Sequence, residues 1–224
     1  MVFDHMLLWL DPVPRAGPEA MAVDEWLLEQ ATSPVLRVYQ WSGAWATIGY
    51  FGELTPAREA IPGVGWVRRW TGGGVVDHRA DWTYTVAAPA GEPLASCRGA
   101  ESYQRIHRGL EETLRLEGLE ARLSTGDEQT GSPLCFANPV PHDLVDTGGH
   151  KLAGAGQRRT KTGLLHQGSV AAPAASSEIS RRRAGFLASR LATTWELHTF
   201  APPPEIIAAK VAARYANPAW TNRR

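Results

Sequence analysis

The chain has 224 residues, 43% of them apolar and 21% charged, which suits a soluble globular domain with a sizeable core. Lys plus Arg and Asp plus Glu both number 23, so the net charge is zero, which argues against broad electrostatic binding to nucleic acid or an anionic membrane. No run of 18 apolar residues predicts a membrane span, and two cysteines supply neither a disulfide framework nor a CxxC metal site, so no metal centre is expected.

The opening MVFDHMLLWLDPVP is apolar but carries Asp4 and His5, with no basic leader and no small-residue cleavage site. It does not read as a signal peptide, and a cytoplasmic protein with free thiols is the expectation. EAMAVDEWLLEQA (19–31) spaces Met21, Val23, Leu27 and Leu28 near the helical period, with acidic residues early, and predicts a helix. VLRVYQW (35–41) and WATIGYF (45–51) are β-branched and aromatic, and the short Ser42-Gly43-Ala44 link between them predicts a hairpin. GWVRRW (65–70) and DWTYTVAAP (81–89) read as strands on either side of a glycine run.

SYQRIHRGLEETLRLEGL (102–119) is helical in period, with a Ser cap at its start and Gly118 at its end. ARLST (121–125) reads as a strand and 127–141 as a loop. DLVDTGGHKLAG (143–154) reads as a hairpin turning at Gly148-Gly149, and GLLHQGSVAA (163–172) as a further strand. Helices at about 178–192 and 203–215, separated by a Pro-rich link at 202–204, complete the chain. The order lacks βαβ alternation, so the expected fold class is α+β: a mixed, largely antiparallel β-sheet with helices packed on its face, in a single domain over 1–224.

Three constellations could carry chemistry. In RRWTGGGVVDH (68–78) no Lys follows the glycines and a strand rather than a helix comes next, so both nucleotide-binding fingerprints fail. Gly72, Gly73 and Gly74 either let the main chain lie against a ligand or make a tight hairpin. Arg68 and Arg69 alternate along the strand, so only one of them can face a given site. In HKLAGAGQRR (150–159), Lys151 stands beside small residues including Gly154. It is either a surface lysine or a fixed cation for a carbonyl or phosphate oxygen. Cys135, in a Pro/Gly loop, is either an inert thiol or a nucleophile whose pKa Lys151, His142, His150 or His166 could lower.

These segments, in this order, resemble the biotin/lipoate protein ligase superfamily on its lipoate-ligase and octanoyltransferase side. MAVDEWLL is similar to its first helix and LRVYQWSGAWATIGYF to its first hairpin. RRWTGGGVVDH matches its RR-x-[ST]-GGG-x-V-x-H signature, and HDLVDTGGHKLAGAGQRR its lysine motif. The resemblance implies a catalytic domain like that of class II aminoacyl-tRNA synthetases, here without the accessory C-terminal domain of two-domain ligases. It implies a tunnel for a lipoyl or octanoyl chain beside Gly72–Gly74, with His78 in its wall and Lys151 at the carbonyl. Asp143 takes the family position that helps handle nucleotide and metal, and Arg68, Arg69 and Gly154 complete the binding set.

Two chemistries follow from the resemblance. A ligase would use ATP and Mg2+ to make an acyl-adenylate from lipoate or octanoate. A transferase would take octanoate from acyl carrier protein as a thioester on Cys135, which stands beside Phe136 as the family's cysteine does. Either would deliver the acyl group to the lysine of a lipoyl-accepting domain, of the E2-subunit or glycine-cleavage H-protein type. A ligase of this length could need a separate accessory domain, and a non-catalytic acyl-binding subunit of a split ligase is the third reading. The triple glycine is ligase-like, because transferases with that cysteine more often read GGR. Leu165-His166-Gln167-Gly168 exchanges the His and Gln of the family's order.

Overall fold

The computed structural model describes residues 1–128 and 138–223. An eight-stranded sheet forms the middle layer, in the order β11-β1-β2-β6-β10-β9-β8-β7. Its strands are β1 (Phe3–Leu10), β2 (Val35–Tyr39), β6 (Trp82–Pro89), β7 (Arg122–Leu123), β8 (Leu144–Val145), β9 (Lys151–Thr160), β10 (Gly163–Val170) and β11 (Ala192–Leu197). β1 pairs in parallel with β2 and β11, and every other neighbour in this sheet is antiparallel. A small sheet, β4-β3-β5, holds β3 (Trp45–Ile48), β4 (Gly65–Arg68) and β5 (Val75–Asp77). The fold is the expected α+β arrangement.

Alternation along the strands assigns the two faces of the large sheet. Trp82, Tyr84 and Val86 join Met6, Leu8 and Val38 in a core covered by the longer helices α4 (Gly99–Leu116) and α5 (Ser177–Leu191). Trp9, Val35, Ala87 and Leu165 face the other way, onto α1 (Gly17–Gln30) and the C-terminal segment of α6 (Pro204–Lys210) and the π-helical turn Val211–Tyr215. α1 carries Ala20, Met21, Val23, Leu27 and Leu28 into that layer, and Pro18 opens it at a position where no backbone donor is needed. The small sheet has its own apolar cluster of Ile48, Val75, Leu54 and Ala57 under α2 (Leu54–Ala60). Two short helices, α3 (Pro93–Ser96) and α7 (Pro218–Thr221), complete the described structure.

Several sequence expectations are corrected. Segments 35–41 and 45–51 do not form a hairpin: β2 pairs with β1 and β6, whereas β3 pairs with β4 and β5. Both edges of β2 are occupied, so the short link carries the chain from one sheet to the other. Ser102 is not the cap of α4. Arg98 precedes the helix, and Ser102 lies in its first turn with its hydroxyl on the Gly99 carbonyl. The stretch between α5 and α6 is not a bare link but holds β11, whose residues after Ala192 are all exposed and so show no alternation. The hairpin of β8 and β9 is as expected, with Gly149 at φ +81° in its turn.

Candidate functional site

Gly154, Ala155 and Gly156 of β9 and Gln167, Gly168 and Ser169 of β10 form one wall of a narrow crevice. The opposite wall comes from Thr47, Val76 and Arg69, so the crevice is the seam between the two sheets. Met21, Tyr39 and Trp41 close it at one end. Strand register gives its direction: Tyr39 lies opposite Thr83, Thr83 opposite Ser169, and Ser169 opposite Gly154. Three inter-strand steps make the line from Tyr39 to Gly154 about 14 Å long.

Lys151 stands at the Gly154 end. Its side chain is 2% exposed, and its Nζ lies 2.6 Å from Oδ2 of Asp143, which is fully buried. A Cβ on residue 154 would sit 2.4 Å from Cε of Lys151 and 2.6 Å from its Nζ. Glycine therefore leaves room for the tip of the lysine to pack against residue 154, which itself lines the crevice. Asp143 follows a tight turn in which His142 adopts φ +71°, left-handed for a non-glycine residue. Its Oδ2 also accepts from the Val140 backbone N–H at 2.9 Å, and its Oδ1 accepts from the Tyr103 hydroxyl. A buried ammonium–carboxylate pair with these additional donors is satisfied rather than stranded.

The glycine run lies at the rim. Gly73 has φ +94°, and its carbonyl oxygen would be 1.9 Å from a Cβ at Gly49. The Gly72 oxygen would be 2.3 Å from a Cβ at Gly156. Main chain is thus stacked on main chain, with glycine on both sides of the contact. Arg69 points into the seam, donating to the carbonyls of Gly72 and Gly74 at 3.1 and 2.9 Å and to the Thr47 hydroxyl. Arg68 points the other way. Its guanidinium holds the carbonyls of Gly49, Gly52, Trp220 and Thr221, and it joins no wall of the crevice. The expected alternation of the two arginines is observed, and it makes Arg69 the residue at the crevice and Arg68 a scaffold residue.

His78 lines the crevice near Trp41, stacked on its indole at 4.1 Å between ring centroids. Its Nδ1 lies 2.7 Å from Asp81, and its Nε2 lies 2.8 Å from the Thr47 hydroxyl, so both ring nitrogens are engaged in orienting it. Gln167 enters the crevice because it is out of phase with His166. Its amide takes the Thr71 hydroxyl at 2.7 Å and donates to Asp24 at 2.7 Å. Asp24 is bound in turn by Arg37, a buried guanidinium shared with Asp11. The residue before the glycines is thereby tied to the floor of the α1 layer.

On the other face of the sheet, His166 meets Tyr84 and Gln157. Burial pushes His166 well below the ordinary histidine range and pushes the Tyr84 phenol up. His107 of α4 is fully buried, and burial holds it down to about 4, with Asp143 acting in the opposite direction.

Of the residues singled out in the sequence, Gly154, Arg69 and His78 line the crevice itself, Lys151 and Asp143 pack against Gly154, the glycine run stacks on Gly156 and Gly49 and is held by Arg69, and Arg68 is turned away. Cys135, the other candidate, lies outside the described residues. Sequence reasoning missed Thr47, Tyr103, His107 and Gln167. Tyr103 and His107 are one helical turn apart, and Gln167 follows from the alternation of β10, so the signals were present.

The family profile described as the lipoyl protein ligase A/B catalytic domain matches residues 17–181, a span that contains every one of these residues. The chain belongs to this family. Among relatives of the ligase A/B family, the octanoyltransferase LipM of Carboxydothermus hydrogenoformans is 33% identical over 174 residues, 72% of this chain and 63% of that protein. The chain spans less than two thirds of the length of these curated relatives, 63% and 59% for two further LipM proteins. The bi-partite lipoate protein ligase of Thermoplasma acidophilum, solved in a study with its E2 lipoyl domain, shares the fold at TM-score 0.72, covering 99% of this chain and 96% of that one at 18% identity. A lipoate-protein ligase A bound with ATP has TM-score 0.72 and 18% identity, covering 99% of each chain.

Proposed function

We propose that the chain transfers a lipoyl or octanoyl group to the lysine side chain of a lipoyl-accepting domain, with the acyl chain in the seam between the sheets and its carbonyl at Lys151. The observation that carries this reading is the buried Lys151 ammonium at the Gly154 end of an apolar crevice. When the acceptor amine attacks, a C–N bond forms, the bond to the leaving group breaks, and negative charge gathers on the carbonyl oxygen. A cation already held in place stabilises that charge without having to reorganise. Asp143 keeps the ammonium in the buried site between turnovers. Met21, Tyr39 and Trp41 would meet the far end of the acyl chain.

The likeness to octanoyltransferases favours an octanoyl thioester as donor, with Cys135 as its carrier and acyl carrier protein as its source. The triple glycine favours the second donor, lipoate activated by ATP and Mg2+, with or without a separate accessory domain. Intact-mass analysis separates the two. One arm mixes the full chain with octanoyl-acyl carrier protein; the other mixes it with lipoate, ATP, Mg2+ and an acceptor domain of E2 or H-protein type. An octanoyl-sized gain on the chain, lost in Cys135→Ser, supports the thioester route, and a lipoyl-sized gain on the acceptor supports the ATP route. No gain on chain or acceptor in either arm would leave a non-catalytic acyl-binding module and sink the proposal.

A further inference from the structure

Among the described residues, β8 pairs with β9 only through Leu144 opposite Ala153 and Val145 opposite Lys151. Beyond that point the position next to Ala155 is taken by a side chain. The Tyr103 hydroxyl accepts from the Ala155 backbone N–H at 2.7 Å, with the Ala155 carbonyl at 3.3 Å, and donates to Oδ1 of Asp143. One oxygen thus stands where the strand pairing ends and also against the counter-ion of Lys151. His107, one turn further along α4, lies with its Nδ1 2.7 Å from the carbonyl of His142, the left-handed residue just before Asp143. Two residues on one face of one helix therefore grip the turn that presents the carboxylate.

Neither side chain lines the crevice, and neither is placed to touch an acyl chain there. Each acts on the carboxylate that holds the ammonium. Without the Tyr103 hydroxyl, Asp143 Oδ1 and the Ala155 N–H both lose that partner, and the carboxylate keeps its anchors to the Val140 N–H and Lys151 on Oδ2 while losing the one that fixes Oδ1. We infer that Tyr103 is a positioning residue for the Lys151 ammonium, acting through Asp143, with His107 fixing the turn that carries it. The inference rests on the reading of Lys151 given above.

Tyr103→Phe keeps the ring that packs against His107 and removes only the hydroxyl, so it tests the inference without emptying the core. The full chain, Tyr103→Phe, Asp143→Asn and the double variant are compared in two measurements. The first is steady-state acyl transfer with the donor that supports turnover. The second is labelling of Lys151 by an amine-reactive ester in the free protein, read by mass spectrometry. Tyr103→Phe should lower kcat about tenfold or more, leave KM for the donor within about twofold, and raise Lys151 labelling. The double variant should match Asp143→Asn, because a residue that acts through Asp143 has nothing left to contribute once the carboxylate is gone.

Wild-type kcat together with wild-type labelling in Tyr103→Phe would overturn the inference. So would losses that simply add in the double variant. Lys151→Ala serves as a separate control: unchanged turnover there removes the functional reading, while the labelling measurement still judges whether Tyr103 restrains the lysine.

Discussion

At residue 154 the absence of one methyl group leaves the space in which the tip of Lys151 lies. A Cβ there would lie within 2.6 Å of the ammonium nitrogen and 3.0 Å from Asp143 Oδ1. Gly154→Ala should therefore lower the transfer rate by about tenfold or more, while circular dichroism shows the strand intact. Lys151→Ala removes the charge itself. By the behaviour of single oxyanion donors, it should cost about 100-fold or more in kcat in a steady-state transfer assay. Equal rates in wild type and Lys151→Ala would rule out the electrostatic role. Gly156 tests a different contact. A methyl there meets the Gly72 oxygen at 2.3 Å, so Gly156→Ala should push the glycine run off the rim and weaken acyl-chain binding, measurable by calorimetry with octanoate.

Elements explain why some of this could be read from the sequence and some could not. Alternation along 65–70 correctly forced Arg68 and Arg69 apart, because a strand has a period of two whatever it pairs with. What alternation could not say was which side faced the crevice, since that depends on where the small sheet docks. The failed hairpin at 35–51 has the same root: both strands were legible, but pairing is set by which edges are free, a non-local property. β11 was invisible because Thr193, Thr194, Trp195, Glu196 and Leu197 all face water and leave no buried stripe. Tyr103 was passed over as one apolar member of a helix, since its role depends on a strand edge contributed by residues about fifty positions later.

The C-terminal elements are likewise held by one residue of α1. Glu25 accepts from Lys210 at 3.1 Å, from Tyr215 at 2.6 Å and from Arg214. Removing a largely buried carboxylate leaves two cations and a phenol facing a gap. Glu25→Ala should cost about 2 kcal/mol in a urea titration, a figure kept low because Arg214 and Lys210 are partly open to solvent.

For the whole molecule, the buried histidines set a pH limit. His107 has an ordinary value of 6.5 and is held down to about 4 in the fold, and His166 is also lowered by burial. The unfolded chain takes up these protons below about 6.5, while the folded chain resists until far lower. Stability is therefore fully present above 6.5 and is lost as pH falls toward 4. His107 alone contributes about 3 kcal/mol to that loss. Urea midpoints at pH 7 and pH 5 should show the drop, and His107→Gln should make the slope shallower. An unchanged slope in that variant would mean that other groups govern the acid limb.

The seam between the sheets has a mechanical meaning as well as a chemical one. On one side stands the broad sheet with its helical backing; on the other stands a three-stranded flap with an apolar cluster of its own. An alkyl chain lying between them would act as mortar, touching both bodies. Loading the protein should then stiffen the flap more than the rest. At a ligand concentration 100 times Kd, the loaded state gains about 2.7 kcal/mol against unfolding. Amide hydrogen exchange would register that gain first at Thr47, Val76 and Arg69, long before the helices on the far face felt the guest.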